Sequence, residues 1–327
     1  MILVGDIGGT KVRLAIVSMR GKIELCEEEF FLSRNFSSFE DLLETFLRKT
    51  KKKISQACIG VAGPVVGEKM ETTNLPWRMD AKKIQKILNA RRVDLLNDLE
   101  ATAYGICMLE EKDFFVLQKG KNNRLGNAAL IAAGTGLGEA GLVWKEKEFF
   151  PFASEGGHAD FSPHDEREWR LFCDLKKKRE HVSYESVVSR SGIVSLFSFL
   201  LKEKKREAQR SLKKLDKEDL SEAILQHAGG KKDALCEEAV LWFCSLYGRE
   251  AGNLALKFWA LGGVYLAGGI APQIAQIIKQ SDFVSSFHDK GRFAKFLRHI
   301  PVQIILNEKA PLLGAAFFAR KHLAKTV

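Results

Sequence analysis

Two short glycine turns are the first places in this sequence where residue types and spacing suggest chemistry. One lies in Gly5-Asp6-Ile7-Gly8-Gly9-Thr10, the other in Gly134-Thr135-Gly136-Leu137-Gly138. Residues without a Cβ let consecutive backbone N–H groups close on an oxyanion, and a threonine hydroxyl adds a further donor, so both turns suit phosphate. Either turn alone reads as an ordinary hairpin. Together, each between two apolar runs, they read as one device used twice. Neither is a GxxxxGK[ST] loop, and no GxGxxG opens a helix. Asp6 stands at a strand end just before the first turn. A carboxylate beside phosphate is repulsive unless a cation bridges them, so Asp6 points to Mg²⁺ arriving with the phosphates. Its other use would be to satisfy turn amides.

Further along, a strand expected at 93–96 ends in Asn97-Asp98 and passes into helical sequence. The carboxyl ends of strands are where open α/β sheets bind ligands. Asp98 there is either a helix cap or a group that accepts a hydroxyl proton during phosphoryl transfer. Asn97 offers donor and acceptor together, which suits a polyol. Glu155-Gly156-Gly157-His158 sets a carboxylate and an imidazole beside a flexible pivot, and Glu185 follows in His181-Val182-Ser183-Tyr184-Glu185. Acceptors fixed on several loops discriminate hydroxyl patterns through directional hydrogen bonds. His158, Asp160, His164 and Asp165 also cluster, but without HExxH or any other familiar ligand spacing, so a metal centre is disfavoured.

The elements that must position these groups follow an order. Strands are expected at 2–7, 12–17 and within 23–31, then a helix over 38–49, a strand at 57–62 ended by Gly63-Pro64, a helix over 80–89, a strand at 93–96 and a helix over 98–109. The pattern recurs about 126 residues later: strands at 128–133 and 138–144, a third at 149–152, and a long helical region. Strands at 264–267 and 302–306 follow, with helices over 270–279 and 311–323. This predicts an α/β protein of two lobes with duplicated βββαβαβα topology, the ribonuclease H-like arrangement, facing each other across a cleft. The smaller lobe would comprise 1–110 plus 308–327. The larger, 111–307, would be enlarged by helices.

Composition narrows the class. The chain has 327 residues, is 46% hydrophobic and 28% charged, and so buries enough apolar surface to fold. Its six cysteines are scattered without a CxxC pair, which fits a reducing compartment. The sequence opens with only a four-residue apolar run and has no run of about 20 apolar residues, so a cytoplasmic protein without membrane contact is expected. The net charge of +10 raises the question of nucleic acid. Residues 174–232, however, carry 15 Lys/Arg against 9 Asp/Glu, six of the ten excess charges. The basic runs 176–179, 202–206 and 213–214 are interspersed with acids and poor in aromatics, which describes a solvated helical face rather than a nucleic-acid surface.

With these blocks in order, the sequence resembles the bacterial ATP-dependent glucokinase family of the actin-like ATPase superfamily. The resemblance also includes Gly262-Gly263-Val264, Ala267-Gly268-Gly269-Ile270 and Asp289-Lys290-Gly291-Arg292-Phe293, and it covers nearly the whole chain. The cysteine-rich zinc motif of related kinase/repressor proteins is not matched. The resemblance implies transfer of a phosphoryl group from MgATP to the 6-hydroxyl of glucose, giving glucose 6-phosphate and ADP. It implies Asp98 as general base, and Asn97, Asp98, Glu155, His158 and Glu185 as glucose ligands. It gives Gly5, Asp6, Ile7, Gly8, Gly9 and Thr10 to the ATP phosphates, with Asp6 reaching Mg²⁺ through water. Thr135 and Gly136 would contact phosphate or close over the sugar, and Gly268 and Gly269 would lie against adenosine. It implies no tightly bound cofactor and is compatible with a homodimer. A kinase for another hexose and a catalytically silent sugar-sensing regulator are the alternatives. Three positions depart from the family pattern: Lys11, the Arg190-Ser191 pair, and Glu139 at an apolar position after the second turn.

Overall fold

Runs of Ile, Leu, Val and Ala bounded by glycine build two mixed sheets in the computed structural model, which describes residues 1–18, 21–63, 65–66, 69–71, 77–121, 126–206, 208, 212, 215–230 and 232–323. In chain order the elements are β1 (Ile2–Ile7), β2 (Lys11–Val17), β3 (Leu25–Leu32), α1 (Phe39–Lys49), β4 (Gln56–Val61), β5 (Val65–Val66), β6 (Lys69–Glu71), β7 (Arg78–Asp80), α2 (Ala81–Leu88), β8 (Arg92–Asn97) and α3 (Asp98–Ile106). Then come β9 (Phe114–Gln118), β10 (Ala128–Ala133), β11 (Leu137–Lys145), β12 (Glu148–Ser154), α4 (Glu166–Lys176), α5 (Arg190–Glu203), α6 (Lys217–Gly229) and α7 (Ala234–Phe258). The chain closes with β13 (Gly263–Ala267), α8 (Ile270–Gln273), α9 (Ala275–Gln280), α10 (Phe283–His288), α11 (Ala294–Leu297), β14 (Val302–Ile305) and α12 (Ala310–Leu323).

One sheet orders its strands β3-β2-β1-β4-β8 and the other β12-β11-β10-β13-β14-β9; β5, β6 and β7 form a small third sheet. The correspondence is direct. β1 pairs antiparallel with β2 and parallel with β4, just as β10 pairs antiparallel with β11 and parallel with β13. The duplicated α/β topology read from the sequence is thus present, with β9 added antiparallel to β14 at one edge. By contact density the chain divides into one unit of residues 1–111, 149–153 and 307–327 and another of 112–148 and 154–306.

In the first unit, Ser38 Oγ accepts from Asp41 N–H (3.2 Å) and starts α1, whose Phe39, Leu42, Leu43 and Phe46 are buried. Each such side chain contributes about 1.5–3 kcal/mol when fully buried. They pack with Leu3, Leu14 and Ile59 from the sheet. Across the sheet's other apolar cluster lies α12, whose crossing with α3 is unusually close. A Cβ at Gly105 would come within 2.1 Å of Ala310 O, and one at Gly314 within 1.8 Å of Ala101 O. Only glycine admits that approach. In the second unit the long α7 is buried along its middle, where Tyr247 Oη donates to Ile131 O at 3.1 Å.

Several expected elements differ in detail. The helix over 270–279 is two short helices, because Ile274, two residues after Pro272, leaves helical dihedrals. The helix after Asn97 stops at Ile106 rather than Leu109. Part of the basic stretch is paired with acids nearby, and Arg167 just before it joins the same cluster. Lys202 Nζ reaches Asp174 (2.9 Å), Arg167 reaches Glu203 and Glu238 (2.9 and 2.7 Å), and Lys204 also meets Glu238. The run Lys213–Lys214 and Pro64 lie outside the described residues. Among the described residues no helix is long and apolar enough to cross a membrane.

Candidate active site

In the first unit, strand register sets the candidate residues side by side. Ile7 of β1 is level with Val61 of β4, and Val61 with Asn97 of β8; one row earlier, Asp6 is level with Gly60 and Gly60 with Leu96. The three strands are parallel, so Gly8-Gly9-Thr10, Gly63 and Asp98 all follow the same carboxyl edge. Gly60 permits this closeness, since a Cβ there would meet Ala101 Cβ at 2.9 Å.

The first turn is tied back by its carbonyls. Gly8 N–H donates to Lys11 O (3.0 Å), while Ser33 gives its Oγ–H to Gly9 O (2.8 Å) and its N–H to Thr10 O (3.1 Å). Among the described residues nothing accepts from the N–H groups of Gly9 and Thr10. Such open amides carry partial positive charge and suit an anion. Lys11, the first departure from the family pattern, points to solvent from the start of β2. Burial pushes the Asp6 carboxyl up to about 6, with the charge of its cross-strand neighbour Arg13 acting the other way. Arg13 itself is engaged by Glu28 (3.4 Å) and by the Glu308 carboxylate (3.3 Å) and carbonyl (3.0 Å). A half-buried carboxylate at the mouth of a phosphate-sized turn is a fitting ligand for a cation that arrives on phosphates. Among the described residues no three His, Cys, Asp or Glu groups gather into a cage of their own.

Asn97, not Asp98, caps α3. Its Oδ1 accepts from Leu99 and Glu100 N–H (3.0 and 3.4 Å), and its Nδ2 donates to Gly63 O (3.1 Å). Asp98 is therefore the first helical residue, with Oδ1 accepting from Leu99 N–H at 2.9 Å. A carboxylate there is favoured by the helix dipole and held in orientation.

The second unit gathers the remaining candidates. Residues 159–161 pair with 182–184 through Tyr184 N–H to Ala159 O (3.0 Å) and Phe161 N–H to Val182 O (3.0 Å). This brings the Glu155–His158 loop beside the short helical turn that carries Glu185. His158 N–H donates to Glu155 O (3.0 Å), and His158 O meets His181 Nε2 (2.9 Å). The glycines let this loop lie on β11, since a Cβ at Gly157 would sit 1.9 Å from Leu137 O. Glu155 and His158 are exposed, and Glu185 is half-buried. Glu185 Oε2 accepts from Leu137 N–H (2.9 Å), at the end of the second glycine turn. The other acids and histidines of this region have separate partners: His164 faces Asp289 (3.2 Å), His181 faces Asp160 (3.5 Å), and Asp165 caps α4.

That second turn closes with Gly134 N–H on Gly136 O (2.9 Å), and Gly134 O accepts from Arg190 N–H (2.9 Å). Thr135 is exposed at its tip. Gly268 lies in the left-handed region (φ 79°) and presses on Ala133, where a Cβ would be 2.3 Å from the carbonyl oxygen. Its neighbour Gly269 lies close to the Arg190 guanidinium, whose Nη1 pairs with Glu222 at 2.9 Å. Arg190 thus touches both glycine segments of this unit, a placement its sequence neighbourhood gives no means of finding.

These sites can be set against known proteins. The chain matches the family profile described as Glucokinase over residues 3–322. A glucokinase from Nostoc sp. is 39% identical over 98% of this chain and 99% of its own length. The crystal structure of a glucokinase from an Antarctic psychrotroph superposes with a TM-score of 0.84 at 29% identity, covering 98% of both chains. A ROK family glucokinase from Streptomyces griseus, solved in complex with glucose and AMPPNP, gives a TM-score of 0.67 at 19% identity, covering 98% of this chain and 99% of that one; it shows the fold alone.

Proposed function

The chain belongs to the glucokinase family, enzymes that phosphorylate hexoses, and on that premise we propose that it transfers the terminal phosphoryl group of MgATP to the 6-hydroxyl of glucose, with Asp98 as general base. The observation that carries the reading is the common carboxyl edge of the parallel strands β1, β4 and β8: Asp6 is level with Leu96, two residues before Asp98, and the open turn amides follow directly after β1. Gly8, Gly9 and Thr10 cradle phosphate oxygens, and Asp6 meets the cation that comes with them. Because Asn97 is the helix cap, Asp98 is not committed to that role; it orients the attacking hydroxyl and takes its proton as the oxygen–phosphorus bond forms and ADP leaves. Little covalent chemistry is asked of the protein, so rate comes from position and from neutralised charge. In the second unit Glu155, His158 and Glu185 bind sugar hydroxyls, and Gly268-Gly269 with Thr135-Gly136 receive the nucleotide side.

A coupled ADP-release assay over a panel of hexoses tests this, on the wild-type protein and on Asp98→Asn. Glucose is expected as the preferred acceptor, and turnover in the variant is expected to fall by about 10³-fold. Preference for another hexose would reassign the substrate, and undiminished turnover by Asp98→Asn would remove the base. Glucose binding without turnover by the wild type would show a regulator instead.

A further inference from the structure

Glu139 is the buried charge that the proposed chemistry leaves unused. It lies on β11 opposite Ile131, is 1% exposed, and among the described residues no N–H or O–H donor reaches either carboxyl oxygen. Oε2 presses on the backbone of Gly156, where a Cβ would come within 2.0 Å of it. Gly156 N–H is meanwhile held by Ser154 Oγ at 2.9 Å, so the carboxyl fills the underside of the loop that carries Glu155 and His158.

The carboxyl whose charge acts on Glu139 is Glu250, wholly buried in the middle of α7. Glu250 Oε2 accepts from Asn253 Nδ2 (2.8 Å), and the same Nδ2 reaches Tyr184 Oη (3.1 Å). Tyr184 immediately precedes Glu185, whose carboxylate is fixed on Leu137 N–H. A chain of buried polar contacts therefore runs from beneath Gly156 to the turn bearing Glu185. Two carboxylates in so dry a place cannot both be ionised, and a proton between them supplies the donor that Glu139 otherwise lacks.

We propose that Glu139 and Glu250 hold one proton between them and act as a positioning pair, a brace under the sugar-binding loop 155–158 that extends through Asn253 and Tyr184 to Glu185. This rests on the reading of Glu155, His158 and Glu185 as sugar ligands. While the proton is held, the brace is a hydrogen bond; when it leaves, two like charges repel under the loop.

Neighbouring groups set where that happens. Burial pushes Glu139 up to about 8, and the Glu250 charge pushes the same way. Lys257 Nζ, half exposed and 3.5 Å from Glu250 Oε1, opposes the shift. Lys290 is drawn down to about 8 by burial and by Arg249, and Arg249 is itself paired with Glu168 at 2.6 and 2.7 Å. Tyr184 is pushed up to about 12 and Tyr247 is also raised, both chiefly by burial, so neither ionises in the relevant range.

The test is glucose affinity by calorimetry without nucleotide, together with KM and kcat, from pH 6.5 to 9.5 on the intact chain. In the wild type, glucose Kd and KM are expected to rise about fivefold across pH 8 while kcat moves less than about twofold. Glu139→Gln, which keeps the hydrogen bond and cannot ionise, is expected to flatten that rise; Glu139→Ala is expected to raise KM at every pH. A flat wild-type profile, a Glu139→Gln profile that climbs like the wild type (as titration of Lys290 alone would give), or a pH effect confined to kcat would overturn the brace. Should Glu139→Gln fail to fold, Glu250→Gln makes the same test. Normal turnover with a flat profile overturns the brace alone; absence of glucose binding at neutral pH overturns the sugar reading with it.

Discussion

The two glycine turns occupy equivalent places in the two sheets yet do different work. Both use the first glycine amide to close the turn, Gly8 on Lys11 O and Gly134 on Gly136 O. The first has four residues between its paired strand ends, Ile7 and Val12, and the second has three, between Ala133 and Leu137. In the first, a carboxylate stands back on the strand at Asp6, leaving the amides of Gly9 and Thr10 open. In the second, the carboxylate of Glu185 has moved in, and a Cβ at Gly136 would come within 2.4 Å of its Oε2. Backbone duplication therefore fixes where amides point, and the side chain supplied nearby decides whether an anion is received from solution or from the protein itself.

That contrast predicts a division of effects: first-unit substitutions act on turnover, second-unit ones on sugar affinity. The largest is Asp98→Asn, at about 10³-fold in kcat with glucose Kd changed less than about twofold, read by turnover and calorimetry together. A large loss of glucose affinity in that variant would break the division. Next, Asp6→Asn is expected to lower kcat by about 10²-fold and to raise the Mg²⁺ concentration needed for half-maximal rate. Third, Glu185→Gln is expected to raise glucose KM about tenfold and leave the KM for ATP unchanged, since a neutral amide is a weaker acceptor than a carboxylate.

The Asp6 carboxyl also gives a pH dependence whose sign is fixed. Its folded pKa of about 6 exceeds the ordinary aspartate value of 3.8, so the folded state holds a proton that the unfolded chain has lost between those values. Stability falls as pH rises through that window, and Asp6→Asn is expected to be more stable than the wild type at pH 7 by on the order of 2 kcal/mol, measured by denaturant melts. Turnover at limiting Mg²⁺ moves the other way, falling as pH drops through about 6 because the protonated group no longer attracts the cation. The smallest effect belongs to Lys11→Ala, under about twofold in kcat or KM, since its side chain is solvated.

The central strands are legible because each is short, mainly apolar and followed by glycine or Asn-Asp, and 128–133, wholly apolar, is a strand with those very bounds. Strands β5 to β7 are two or three residues long and carry no readable period. β9 is an edge strand whose partner, β14, lies near the other end of the sequence, so nothing in its own neighbourhood marks it as a strand. For the candidate site, the turns and loops could be named from local chemistry, but their division of labour could not. Asn97 rather than Asp98 caps α3, a choice between adjacent residues that only backbone dihedrals decide. Glu139 looked anomalous in its own neighbourhood because its counterpart, Glu250, belongs to a distant helix.

The close crossing of α3 and α12 bears on how the molecule is made. A ribosome extends a nascent chain at about 5–20 residues per second, so α3 emerges roughly 10–40 seconds before the Ala310–Gly314 segment on which Gly105 and Ala101 press. The unit that is translated first is thus the last to be completed, and the helix bearing Asp98 waits for the end of synthesis to find its permanent support.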